Sequence, residues 1–321
     1  MARQLGDYTN QDGTAPDGED NDRDDTVALR KALDAGPGIV YVGPGHYRWG
    51  NVTVPSGVSV VGARGATVVR SSGPKCIFVQ KGPEWTIRDL VLDGETAGDW
   101  RKRKDDGRSG IFAARCRHFE IVGVTVRNFN GAGIQLTHTA VGTFFDAGKL
   151  ERITATGNYV GIRFDERAEY ITAAQLSCNH NVAGCVIHAG NISIHNSNFS
   201  DNTDGLVIED KDNGSHGTIS GCLMNHNARY ALLARDIRNG MTINGCCFFY
   251  GSIRLENSVG VQISSGLISC PIEAIGAGSN RIAENYIIPR KWQFRFSPST
   301  IVIDNFTENG SWDKNRVPQG K

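Results

Sequence analysis

The sequence predicts an all-β parallel β-helix, a solenoid of about ten stacked turns with an N-terminal capping helix. Three observations carry this reading. Short apolar runs recur at intervals of about one solenoid turn. Within each run apolar residues alternate with others in the period of a strand. An asparagine recurs just ahead of several runs, where the chain has to turn.

Composition agrees and narrows the function. The 321 residues include 39 glycines, aromatics make up 8%, and 34 Lys+Arg stand against 34 Asp+Glu. That balance gives no basis for a nucleic-acid partner or a membrane-surface module. No apolar run approaches the roughly 18 residues of a membrane span, and the start MARQLGDYTNQDG has no hydrophobic region of signal-peptide type. The chain is expected to be soluble and to carry no export signal of its own; whether it acts outside a cell or on a virion stays open. Eight cysteines (Cys76, Cys116, Cys178, Cys185, Cys222, Cys246, Cys247 and Cys270) sit inside strand patterns, so buried free thiols are expected rather than disulfides. The absence of Cys-x-x-Cys pairs and His-rich tracts argues against zinc.

The elements follow in order. Residues 1–57 form an N-terminal capping segment, 58–310 the β-helix and 311–321 a tail. Asp24 or Asp25 is placed to cap a helix of about ten residues, and Val27, Leu29 and Leu33 form a stripe able to cover the open end of the solenoid. The acidic run DGEDNDRDD (17–25) reads as a solvated loop ending in that cap, with calcium as the alternative.

The repeat itself aligns GIFAAR (110–115), GIQLTH (133–138), GIRFDE (161–166), GCVIHA (184–189), GLVIED (205–210), YALLAR (230–235), SIRLEN (252–257) and PIEAIG (271–276). A second run precedes most of these, as in ISIHNSNF (192–199) and GTISGCLM (217–224), so each unit reads as strand, turn, strand, turn. Counting from the glycine-like residue, positions +1 and +3 face the core and +2 and +4 face solvent. A unit this short cannot bury its own apolar face, so neighbouring units must stack. Asn158, Asn181, Asn202 and Asn227 fall at the turn before the strand, where stacked amides can bond from one rung to the next.

The stretch VGPGHY (42–47), the string PSGVSVVG (55–62) and the repeat resemble the right-handed β-helix proteins of the pectate lyase superfamily, which include polygalacturonases, lyases, epimerases and phage tailspikes. The resemblance implies a right-handed solenoid and a polysaccharide partner. It also draws attention to NTDG (202–205), which occurs in the polygalacturonase signature. The Asp-Asp pair and Gly-His-Gly that complete that signature are missing from the following rungs, so Asn202 and Gly205 are assigned to the fold. Only Asp204 is left for chemistry.

The outward columns supply a better candidate. Column +4 brings Asp165, His188 and Glu209 onto three consecutive rungs, and column +2 sets Gln135 and Arg163 beside them. Asp210 and Arg235, with Glu166, are placed at +5, where the strands end. Two carboxylates bracketing an imidazole suit proton transfer on a sugar. The expected activity is cleavage of an acidic polysaccharide, with inverting hydrolysis favoured because carboxylates two rungs apart have backbones about 9.6 Å apart. A uronate lyase or epimerase using His188 as base is the first alternative, and a non-catalytic glycan-binding β-helix is the second. The Asp-Pro-x-His-type string of alginate epimerases is missing. The loop ETAGDWRKRKDDGRSG (95–110) carries Trp100, Arg101 and Arg103 as candidates for holding an anionic polymer, and a second loop offers Phe144 and Phe145. No metal ligands are assigned, and both a monomer and a homotrimer are compatible with the sequence.

Overall fold

The computed structural model describes residues 1–19, 22–72, 76–137, 147–211, 214–276, 278–288, 290 and 292–312. Phe144 and Phe145, and most of the expected tail, lie outside the described residues.

The expected register is present where the repeat is strongest. Ile134 pairs with Ile162, Ile162 with Cys185 and Cys185 with Leu206, all in parallel, and all four are fully buried. Most turns contain three strands rather than two. The run read as one strand ahead of the glycine splits at a residue with positive φ, such as Asn196, Gly221 or Gly245, where the chain turns a corner between two short strands. The first sheet has 13 strands, the second comes in two six-stranded parts, and the third has ten, from Phe78–Pro83 to Phe294–Phe296. Among the described residues every strand pairing is parallel except the last, an antiparallel hairpin of Asn305–Thr307 with Gly310–Trp312. The backbone groups of each rung are satisfied by the rungs above and below, and the side chains pointing inward form one continuous apolar core.

One rung departs from the alignment. Leu206 pairs with Leu232, Ile208 with Ala234 and Glu209 with Arg235. YALLAR is therefore one residue out of step with its expected position. In the three preceding rungs the glycine follows the asparagine by three residues; after Asn227 the turn holds one residue more, so Ala231 takes the place of the glycine. The consequence is local and functional. Leu233 moves to the outer face, and Arg235 enters the same column as Asp165, His188 and Glu209.

The asparagine ladder is continuous and buried. Asn158 donates to Asn181 (3.1 Å), Asn181 to Asn202 (3.2 Å) and Asn202 to Asn227 (3.3 Å), and each side-chain oxygen also accepts a backbone N–H from the rung below it in sequence. The fold thus accounts for Asn202 of NTDG.

At the N-terminus the helix runs Thr26–Asp34. Its buried face is Thr26, Ala28, Leu29, Ala32 and Leu33, with Val27 only half-buried, because a helix of 3.6 residues per turn turns position 27 away from 29 and 33. Asp25 occupies the cap position, yet its carboxylate bonds Asn10 Nδ2 (3.0 Å) and Arg48 N (3.2 Å) instead of the helix. Asp24 accepts from Thr26 N (2.8 Å) and Asn10 from Ala28 N (3.3 Å), so the free amides are satisfied by neighbours. Within the acidic run, Asp17 pairs with Arg23 and Asp22 with Arg48. Among the described residues no group of three or more His, Cys, Asp or Glu side chains is arranged as a metal site. No helix is long and apolar enough to cross a membrane. The described thiols are unpaired, and all except Cys247 are buried.

Candidate functional site

The third sheet carries the site on its outer face. Its strands Val160–Phe164, Ala183–Ile187 and Asp204–Glu209 stack in register, so residues at or just past their ends align vertically. Asp165, His188 and Glu209 occupy that end position. His188 Nδ1 lies 2.8 Å from Asp165 Oδ1, and its Nε2 lies 3.4 Å from Glu209 Oε2. Gln135 Nε2 donates to the second oxygen of Asp165 (2.7 Å), and Arg235 donates to the second oxygen of Glu209 (2.9 Å). Five side chains from five consecutive rungs thus form one bonded column, with the imidazole at its centre.

The electrostatics follow from this arrangement. Burial of His188 disfavours the imidazolium, but hydrogen bonds to Asp165 and Glu209 outweigh it, and the pKa is raised above that of a free histidine. Glu209 is held below the ordinary glutamate value, chiefly by its bond to His188 and against the opposing effect of burial, with Arg235 and Lys211 adding to the depression. The charge ladder continues past the imidazole: Arg235 approaches Glu256 (3.6 Å), Arg254 bonds Glu256 (3.1 Å) and Glu273 (3.0 Å).

Beside the column lies a groove of about 350 Å³. Its floor is apolar: Val186, Val207 and Leu233 are outward-facing yet nearly buried, and Tyr159 and Tyr230 pack against them. Cations surround it. Arg163 bonds Asp105 (2.9 Å), Arg229 bonds Asp204 in a forked pair (Nε to Oδ1, 2.8 Å) and lies 5.1 Å from the Tyr230 ring centroid, and Lys211 lies at the rim. Asp204 is buried in this pair.

The structure therefore brings together Asp165, His188, Glu209, Gln135, Arg163 and Arg235. Asp210 turns away: it accepts from Gly214 N (2.8 Å) and closes the turn after its strand. In the 95–110 loop, Trp100 packs edge-on against His180 (6.0 Å) with Arg101 over its ring (4.5 Å), at the opposite end of the rung from His188. Arg103 is buried, bonding Thr96 O (2.8 Å) and Asn130 (3.3 Å), so it braces the loop and does not face the groove. Sequence reasoning missed Tyr159, Arg229, Tyr230, Lys211 and Asp105. Tyr159 and Arg229 lie in turns after ladder asparagines, and Tyr230 stands at the glycine-like position of YALLAR, so the repeat gave none of them a distinguishing signal.

The chain belongs to the right handed beta helix family, whose region matches residues 109–287, more than half of the sequence. Among solved structures it is similar to the mannuronan C-5 epimerase AlgE6 A-module of Azotobacter vinelandii, with 17% identity, 95% of this chain and 98% of that one covered, and a TM-score of 0.61. The catalytic unit of a GH87 alpha-1,3-glucanase from Streptomyces thermodiastaticus aligns at 16% identity over 96% of this chain and 68% of its own, with a TM-score of 0.64. The tailspike protein of E. coli bacteriophage HK620, solved with a pentasaccharide, aligns at 13% identity over 97% and 65%, again at 0.64. At these identities the likeness concerns the fold. No curated protein matches the chain in sequence.

Proposed function

We propose that this β-helix binds an acidic polysaccharide along the groove of the third sheet and acts on it by proton transfer at His188. The observation that carries the proposal is the imidazole fixed between two carboxylates at the edge of a cation-rimmed groove with an apolar floor. An apolar strip suits the hydrophobic face of a sugar ring, and the surrounding arginines suit its carboxylates.

Uronate chemistry fits better than inverting hydrolysis. An inverting hydrolase needs room for water between its carboxylates and a carboxyl group that stays protonated. Here the imidazole fills that space, and Glu209 is held ionised. The raised pKa of His188 instead makes its neutral form a stronger base than a free imidazole. Asp165 orients the ring, and the longer Nε2 contact is the one that yields to substrate. With an arginine neutralising the uronate carboxylate, the adjacent C–H becomes acidic enough for His188 to remove its proton. Breaking the C–O bond at the next carbon then expels the glycosyl oxygen, which takes a proton from water, and gives elimination; a proton delivered by water to the opposite face gives epimerisation.

The alignments with an epimerase, a glucanase and a tailspike support a glycan partner at a coarse level. A second reading, recognition without catalysis, draws on the ladder of Arg235, Glu256, Arg254 and Glu273, which continues the column as a charged face without new chemistry. The test is a panel of acidic and neutral polysaccharides followed by ultraviolet absorbance of unsaturated uronate, release of reducing ends, and NMR for inverted C5 centres. His188→Ala should abolish the first or third signal on the active polymer. Reducing ends without unsaturation would sink the uronate reading, and binding with no product would establish recognition alone.

A further inference from the structure

Arg163 lines the groove with a side chain that is only 17% exposed. Its Nε is buried and has no hydrogen-bond partner among the described residues. One NH2 group is taken by Asp105, a carboxylate that reaches in from the 95–110 loop. The residues flanking Asp105 are anchored independently of Arg163. Arg103 is held by Thr96 and Asn130, and Asp106 binds Arg108 and accepts from Asn130 Nδ2 (3.1 Å). Asp105 therefore sets one carboxylate oxygen on the terminal Nη1 of Arg163, while its other oxygen accepts Gly107 N (3.0 Å) and closes a turn of the braced loop.

We propose that Asp105 is a built-in stand-in for a substrate carboxylate, and that a uronate of the bound polymer displaces it to take Arg163 through both of its terminal nitrogens, Nη1 and Nη2. The inference rests on the acidic-glycan reading and adds the regulation of that site. A guanidinium satisfies a carboxylate best in the forked, two-bond geometry, which Asp105 does not supply and a free uronate can. Because Arg103 and Asp106 stay anchored, rotation of the Asp105 side chain, which gives up its bond from Gly107 N, vacates the cation, and the loop need not unfold. The ligand-free groove is thereby kept from leaving a partly buried cation uncompensated, and neutral glycans, which cannot replace the carboxylate, are disfavoured.

The consequence has an unusual sign, since removing a loop residue should strengthen binding. If Asp105 occupies Arg163 for most of the time, the apparent affinity is reduced by the fraction of molecules in which the cation is free. Asp105→Asn should therefore bind an acidic oligosaccharide about fivefold to tenfold more tightly, given the usual strength of a partly exposed pair. The experiment is calorimetry with oligogalacturonate, oligomannuronate and a neutral oligoglucan. It compares the parent with Asp105→Asn, with Asp34→Asn as a remote exposed carboxylate carrying the same charge change, and with Arg163→Gln alone and combined with Asp105→Asn. The expected result is a gain for Asp105→Asn on uronates only, absent in Asp34→Asn and abolished in the Arg163→Gln background. Parent binding to a uronate without a selective gain overturns the stand-in role and leaves the glycan reading intact, as does a gain that survives Arg163→Gln. If neither the parent nor Asp105→Asn binds any uronate, both fall together.

Discussion

Replacing Asn202 by alanine separates the fold from the chemistry within NTDG. Asn202 is 1% exposed. Its oxygen accepts Asn181 N (2.9 Å) and Asn181 Nδ2 (3.2 Å), and its amide donates to Cys178 O (2.9 Å), Ser200 O (2.9 Å) and Asn227 Oδ1 (3.3 Å). After truncation Asn181 Nδ2 keeps Ala155 O and Asn179 O, and Asn227 Oδ1 still accepts Asn202 N. The Asn181 backbone N–H keeps nothing. An orphaned buried donor costs about 1–3 kcal/mol, and two further net bonds are worth about 1 kcal/mol each, so the expected loss is about 3–5 kcal/mol. Asn202→Asp should cost more, because it sets an acceptor against two carbonyls. Urea unfolding followed by far-ultraviolet circular dichroism measures this, with Asp204→Asn as the companion that leaves the ladder untouched. A loss below about 1 kcal/mol for Asn202→Ala would refute the ladder as a stabilising device. Normal stability with loss of activity would return NTDG to the list of catalytic motifs.

Three further outcomes are expected. His188 has a raised pKa when folded, so its stabilising contribution is fully present below the unfolded value of about 6.5 and is lost as pH rises through the folded value. Unfolding free energy measured between about pH 6 and pH 9 should therefore fall more steeply in the parent than in His188→Gln, and equal slopes would count against the carboxylate–imidazole stack. Glu209→Gln removes the partner of Nε2, so the His188 ring observed by NMR should titrate at lower pH than in the parent; an unchanged midpoint would mean that the contact is absent in solution. A thiol reagent should find at most Cys247 reacting quickly in the native protein and all eight after denaturation, since the other seven are buried and burial raises Cys76, Cys116, Cys178, Cys185 and Cys270, Cys116 and Cys270 to about 12; several fast native thiols would show that the core opens.

The sequence alone determined what depends on period. Alternation fixes which side chains point inward, and repetition fixes that turns stack, so the ladder Ile134, Ile162, Cys185, Leu206 and the column Asp165, His188, Glu209 could be read without coordinates. The asparagine ladder was legible for the same reason. Where the period broke, the reading broke: one extra residue in the turn after Asn227 moved Arg235 into the site column and Leu233 onto the groove floor, and a count from the asparagine could not detect it. The corner that divides each long run into two strands was hidden because one left-handed residue leaves the apolar alternation nearly intact. Only the tertiary structure decided where non-repeating segments go. Arg103 turned inward as a brace, Trp100 settled on His180, Asp210 closed its own turn, and Asp105 reached Arg163, because a loop has no period and its side chains are placed by whichever donors and acceptors the packed rungs leave within reach.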